Sequence, residues 1–158
     1  MIGVDPLTTT GCGGRCHLVR DGEREAGLSL YERCVAEGKP GLFISRLFPF
    51  NTGVDAHHQT TIRLNSLPGK GNLRPDQLGL MQKAIFDFID ENPKAVVFLE
   101  GLDYILIEKG CEELVRFLYA LGDKTMDFDA TVIVSLHGAG LDSGEAAVFG
   151  RALASVPI

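Results

Sequence analysis

The run Ala95-Val96-Val97-Phe98-Leu99, closed by Glu100, constrains this chain more than any other segment. A strand with one wet face alternates apolar and polar residues, so an unbroken apolar run suits a central strand of a parallel sheet covered on both faces. Asn92-Pro93 stands just before it and ends the preceding element. That element reads as a helix: Pro75 suits a first helical position, Asp76 favours the positive helix end, and Leu78, Met81, Ile85, Phe88 and Ile89 form one apolar stripe. A helix feeding a fully buried strand is the repeating unit of an α/β sheet.

The rest of the chain repeats that alternation. A short strand, 17–19, leads through Asp21-Gly22 into a helix over 23–37, in which Leu28, Tyr31, Cys34 and Val35 recur at helical spacing. Gly38 and Pro40 stop it. Leu42 to Ser45 is a compact strand, 46–58 a loop, and Thr61 to Leu64 a short β-branched strand followed by the Pro68-Gly69-Lys70-Gly71 loop. Beyond the central strand, 112–128 is helical, Thr131 to Leu136 is a β-branched strand, and 143–154 is a last helix. The Thr- and Gly-rich stretch 1–15 reads as a flexible arm, and 16–158 as a single α/β domain, since 158 residues at 45% apolar content suffice for one core. The expected fold is three-layer, a mostly parallel sheet between helices.

Charge narrows the function classes. A formal net charge of −6 disfavours nucleic acid as a partner. No apolar run reaches the roughly 18 residues of a membrane span, and Met1 to Thr10 lacks a signal-peptide pattern, so a cytoplasmic protein without membrane partners is expected. Of the four cysteines only Cys12 and Cys16, with His17 beside them, lie close together, and no further ligand cluster follows. No metal and no cofactor are expected.

In parallel sheets ligands bind beyond the carboxyl ends of the strands. There this sequence offers Ser45 and Arg46, Asn65 and Ser66, Glu100 with Asp103, and Ser135 with His137. Ser45, Arg46, Glu100, Asp103 and His137 are the candidate ligand-binding set: Arg46 to fork onto an anion, Glu100 to hold a metal or act as a base. The structural alternative is that Arg46 and Glu100 neutralise one another at the rim of the core. No residue is assigned a catalytic role. His57-His58 lies in a loop, and His137 has no G-x-S-x-G nucleophile to activate. Leu102, Tyr104, Ile105, Leu106 and Ile107 are unusually apolar for a segment just past a central strand; they either cover the sheet edge or form a patch that pairs with another chain.

Four apolar residues after Ala95 and then Glu100 have the form of a Walker B segment, whose carboxylate serves a nucleotide-bound Mg²⁺. The matching phosphate loop, G-x-x-x-x-G-K-[ST], is missing: Gly69-Lys70 is followed by Gly71, and Leu64 stands where the first glycine is needed.

Two blocks carry a family likeness: Gly41-Leu42-Phe43-Ile44-Ser45-Arg46 with Pro49, after Tyr31-Glu32-Arg33, and Val96-Val97-Phe98-Leu99-Glu100-Gly101-Leu102-Asp103-Tyr104-Ile105-Leu106. Together they resemble the archaeal domain of unknown function 835 family over about 16–153. Members typically carry Asp where this chain has Glu100. The layout in turn resembles RecA-like and KaiC-like ATPases stripped of the phosphate loop, with Glu100 at the Walker B carboxylate, Ser45 and Arg46 ending the strand that often bears a catalytic glutamate, and His137 near the end of the sensor strand. The resemblance implies a degenerate ATPase core used as a non-enzymatic protein-interaction or signalling module, with a protein partner or self-association. The alternative is a small-ligand or nucleotide sensor or enzyme that uses the carboxyl edge.

Overall fold

The computed structural model describes residues 15–19, 24–46, 59–65, 71–74 and 76–135. Six strands and four helices follow one another as β1 (Arg15–Val19), α1 (Arg24–Ala36), β2 (Gly41–Ser45), β3 (Gln59–Leu64), β4 (Asn72–Leu73), α2 (Leu78–Glu91), β5 (Val96–Leu99), α3 (Leu102–Lys109), α4 (Cys111–Asp127) and β6 (Thr131–Ser135). The strands form one sheet in the order β1-β6-β5-β2-β3-β4, and every described pair is parallel. β5 lies inside the sheet, and all four of its residues are buried, as its unbroken apolar run requires.

Strand side chains alternate between two helical layers. Phe43, Val96, Phe98 and Ile133 pack with Leu28, Leu30, Tyr31, Cys34 and Val35 of α1. Here Phe43 and Phe98 stack at 5.0 Å, and Tyr31 sets its edge against both rings. The intervening residues, among them Leu42, Ile44, Val97, Leu99, Val132 and Val134, pack on the opposite face against α2, α3 and α4. On that face α2 contributes Leu78, Met81, Ile85 and Ile89, each fully buried apolar side chain contributing about 1.5–3 kcal/mol. The three-layer α/β architecture expected from the alternation is present.

Boundaries differ in instructive ways. α2 begins at Leu78 with Gln77 as its N-cap, two residues after Asp76, because the chain at Arg74 and Asp76 is held in a turn by the Arg74 amide donating to the Gln77 side-chain carbonyl and by the Arg74–Asp76 ion pair. β4 has no counterpart in the sequence pattern: two residues become a strand only because the Arg63 and Asn65 amides donate to the Gly71 and Leu73 carbonyls. Gly110, at φ 85°, separates α3 from α4. Of the arm expected over 1–15, Arg15 instead opens β1, paired with Thr131 of β6, and residues 1–14, the loop histidines and the final helix lie outside the described residues.

Candidate functional site

The sheet register builds the site. Phe43, Phe98 and Ile133 are aligned across β2, β5 and β6 on the face under α1. Two residues further along each chain, on the same face by the period of two, stand Ser45, Glu100 and Ser135. All three are buried at the carboxyl edge: Ser45 and Ser135 have no exposed surface, and Glu100 retains 3%. The Glu100 amide donates to the Ile44 carbonyl at 3.0 Å, which continues the β2–β5 ladder one step and fixes where the carboxylate starts.

A carboxylate this deep needs donors, because an unpaired buried charge costs several kcal/mol. Arg24, the first residue of α1, supplies two: its Nε donates to Oε2 of Glu100 at 2.8 Å and its Nη2 donates to Oε1 at 3.0 Å. The Ser45 hydroxyl adds a third, donating to Oε1 at 2.7 Å. The two parallel guanidinium bonds form the forked geometry in which arginine binds carboxylates most strongly. The hydrogen bond to Glu100 raises the Arg24 pKa, so this side chain is permanently charged.

This arrangement corrects one expectation. Arg24, 76 residues away in sequence, rather than Arg46, takes the position of cationic partner on Glu100. Glu100 itself is enclosed. Arg46 is exposed at the end of β2, and its Cγ and amide nitrogen lie 3.7 Å from where a Cβ on Gly101 would stand. The backbone of Gly101 is left-handed, at φ 101°, and a Cβ there would meet Leu64 Cδ1 at 3.0 Å, so the corner between β5 and α3 favours glycine.

The expected apolar patch divides. Leu102 and Ile105 are fully buried in the core on the α2–α4 face of the sheet and supply no exposed surface, and Leu106, partly buried, packs against the same core. The side chains of Asp103, Tyr104 and Ile107 lie outside the described set, as does His137. Cys16 is in β1 with His17, whereas Cys12 is outside the described residues. Among the described residues no three His, Cys, Asp or Glu side chains converge as a metal centre would need. Among the described residues, one surface cleft lies at the amino edge beside Lys39, Gln59 and Phe88 and another between α2 and α4 beside Gln82, Arg116 and Phe117; neither of these is lined by Ser45, Arg46 or Glu100.

With this geometry in place, comparison with known families is informative. Residues 22–153 match the model of the family described as Protein of unknown function (DUF835). The chain belongs to this family. The matched span starts two residues before Arg24 and includes Ser45, Arg46 and Glu100, so the forked carboxylate lies within the family's own domain. No curated protein matches the chain.

Proposed function

We propose that this DUF835 domain is a non-enzymatic protein-interaction or signalling module built on a degenerate RecA- and KaiC-like core. The observation that carries the reading is the Arg24 fork on Glu100. In a nucleotide hydrolase the carboxylate after the buried strand must be available to a hydrated cation or an attacking water. Here both of its oxygens are committed to a guanidinium, and one also accepts from a serine. The sequence also lacks the lysine-bearing phosphate loop between β1 and α1, where only four residues separate Val19 from Arg24. The strand order adds support: β6 is inserted between β1 and the carboxylate-bearing β5, the placement expected if β1, β6 and β5 descend from the phosphate-loop, sensor and Walker B strands.

By the same resemblance the setting is archaeal signal transduction in the cytoplasm. Among the described residues no helix is long and apolar enough to cross a membrane. Leu102 and Ile105 are taken into the core, and among the described residues the exposed large apolar side chains are Leu80 on α2 and Tyr119 and Met126 on α4, which are the surfaces this reading assigns to a protein partner or second copy. Titration calorimetry with Mg²⁺-ATP, run beside sedimentation over rising protein concentration, tests the reading. The expected result is no heat of nucleotide binding, with association weakened by Tyr119→Ser and Met126→Ser. Stoichiometric Mg²⁺-ATP binding by a strictly monomeric protein would overturn it.

A further inference from the structure

The cleft at the amino edge of the sheet, at the far end of the strands from Glu100, has a volume of about 650 Å³, a size at which small molecules are bound. Two opposite charges line it, Lys39, half-buried, and Glu91, exposed. Among the described residues neither side chain forms an ion pair or a hydrogen bond, and the two do not pair with each other. The helix ends around the cleft explain only one of them. Lys39 lies just past the end of α1 at Ala36, where the carbonyl end of a helix favours a cation. α2 ends at the same cleft with the opposite balance, for its last turn holds Asp90 and Glu91 and no basic residue. Lys124 answers Asp90, which leaves Glu91 beside the negative end of the α2 dipole with no cation on it among the described residues. Val35, Pro40 and Phe88 give the same cleft an apolar lining.

We propose that this cleft binds a small zwitterion of the α-amino acid type, its ammonium held by Glu91 at the carboxyl end of α2, its carboxylate by Lys39, and its side chain against Val35, Pro40 and Phe88. A simple cation leaves Lys39 unanswered and a simple anion leaves Glu91 unanswered, whereas a zwitterion satisfies both and brings no net charge into the cleft. Both contacts are charge-assisted hydrogen bonds, the stronger kind. The apolar lining favours an apolar side chain on the ligand. The site shares no residue with the interaction surface proposed above and does not depend on that reading.

The test is thermal unfolding at rising concentrations of L-leucine and of L-phenylalanine, since a ligand that binds only the folded chain raises the midpoint. Each amino acid is run beside its two halves at equal ionic strength: isoamylamine and isocaproate for leucine, phenethylamine and hydrocinnamate for phenylalanine. At least one of the amino acids is expected to raise the midpoint in a saturable way, and each of its halves to bind about tenfold more weakly, equivalent to about 1.4 kcal/mol. Lys39→Met and Glu91→Gln, each read against its own unliganded midpoint, are expected to weaken the amino acid about tenfold. Lys39→Met is expected to leave the response to the amine unchanged, and Glu91→Gln the response to the carboxylate. A flat response to both amino acids, a half that binds as tightly as the whole, or wild-type affinity in either variant overturns the site. Mg²⁺-ATP is absent from these titrations, so their failure is distinguishable from nucleotide binding, the result that would overturn the module reading.

Discussion

Replacing Arg24 with methionine keeps the aliphatic stem and removes both guanidinium bonds to Glu100. The carboxylate, whose side chain is 4% exposed, is then left with Ser45 as its remaining donor. Removing one partner of a buried ion pair costs about 3–5 kcal/mol. Arg24 is only partly buried and Ser45 still donates, so a loss of about 2–4 kcal/mol is expected. For a chain of this length each kcal/mol moves the midpoint by about 2–4 °C, which puts the fall near roughly 10 °C. Glu100→Gln is milder, about 1–2 kcal/mol, because the orphaned guanidinium can turn towards water and the amide oxygen can still accept from Ser45. The double variant Arg24→Met/Glu100→Gln is expected to be more stable than the sum of the singles by about 1–3 kcal/mol. Denaturant unfolding of the four proteins is the assay. A cost for Arg24→Met below about 1 kcal/mol, with additivity within about 0.5 kcal/mol, would refute the forked pair as an internal neutralisation.

Three further outcomes follow from the layer under α1 and the α2–α4 contact. Burial raises the Tyr31 pKa above its ordinary value of 10.0, so folding stability is complete below that value and falls as pH climbs past it, where the unfolded chain ionises and the folded one does not; Tyr31→Phe is expected to flatten this alkaline limb in a pH series of unfolding midpoints. Gly41→Ala places a Cβ 2.7 Å from the Tyr31 hydroxyl and 2.8 Å from Val35 Cγ2, and since Tyr31 is tied to Gln59 at 2.6 Å the clash is expected to cost about 1–3 kcal/mol in chemical denaturation. Lys124 pairs with Asp90 and lies over the rings of Phe86 and Phe128, so Lys124→Met is expected to cost about 1 kcal/mol, with a smaller difference from wild type at high salt.

The fold was legible wherever apolar period and burial coincide. Ala95 to Leu99 announced a doubly covered strand because nothing in it can face water, and the Leu78, Met81, Ile85 and Ile89 stripe announced α2 because one face of that helix is core. β4 was not legible, since Asn72 and Leu73 become a strand by pairing with β3 rather than by any preference of their own. At the site, the carboxyl-edge rule pointed to Ser45 and Glu100, and these two do meet. It missed Arg24, which is at the amino end of a helix and joins the edge only because α1 lies over β5 with its first turn above the strand ends. A signal did exist: a carboxylate closing a buried strand demands a cation, and a basic residue opening the helix that packs on that strand is a candidate. Nothing in linear spacing, however, chose it over Arg46. The 102–107 segment stayed open in the sequence for a related reason, as apolar density does not say whether a segment covers a sheet or faces a partner; of its residues, Leu102 and Ile105 are core.

The central claim is that Glu100 is a charge neutralised within the fold and is not a hydrolytic carboxylate. The most direct measurement is phosphate release from ATP and GTP in Mg²⁺ by the wild type and by Glu100→Gln, each checked for folding at the assay temperature. The account predicts that both proteins release phosphate at the rate of buffer alone. Turnover by the wild type that Glu100→Gln abolishes while remaining folded would contradict it.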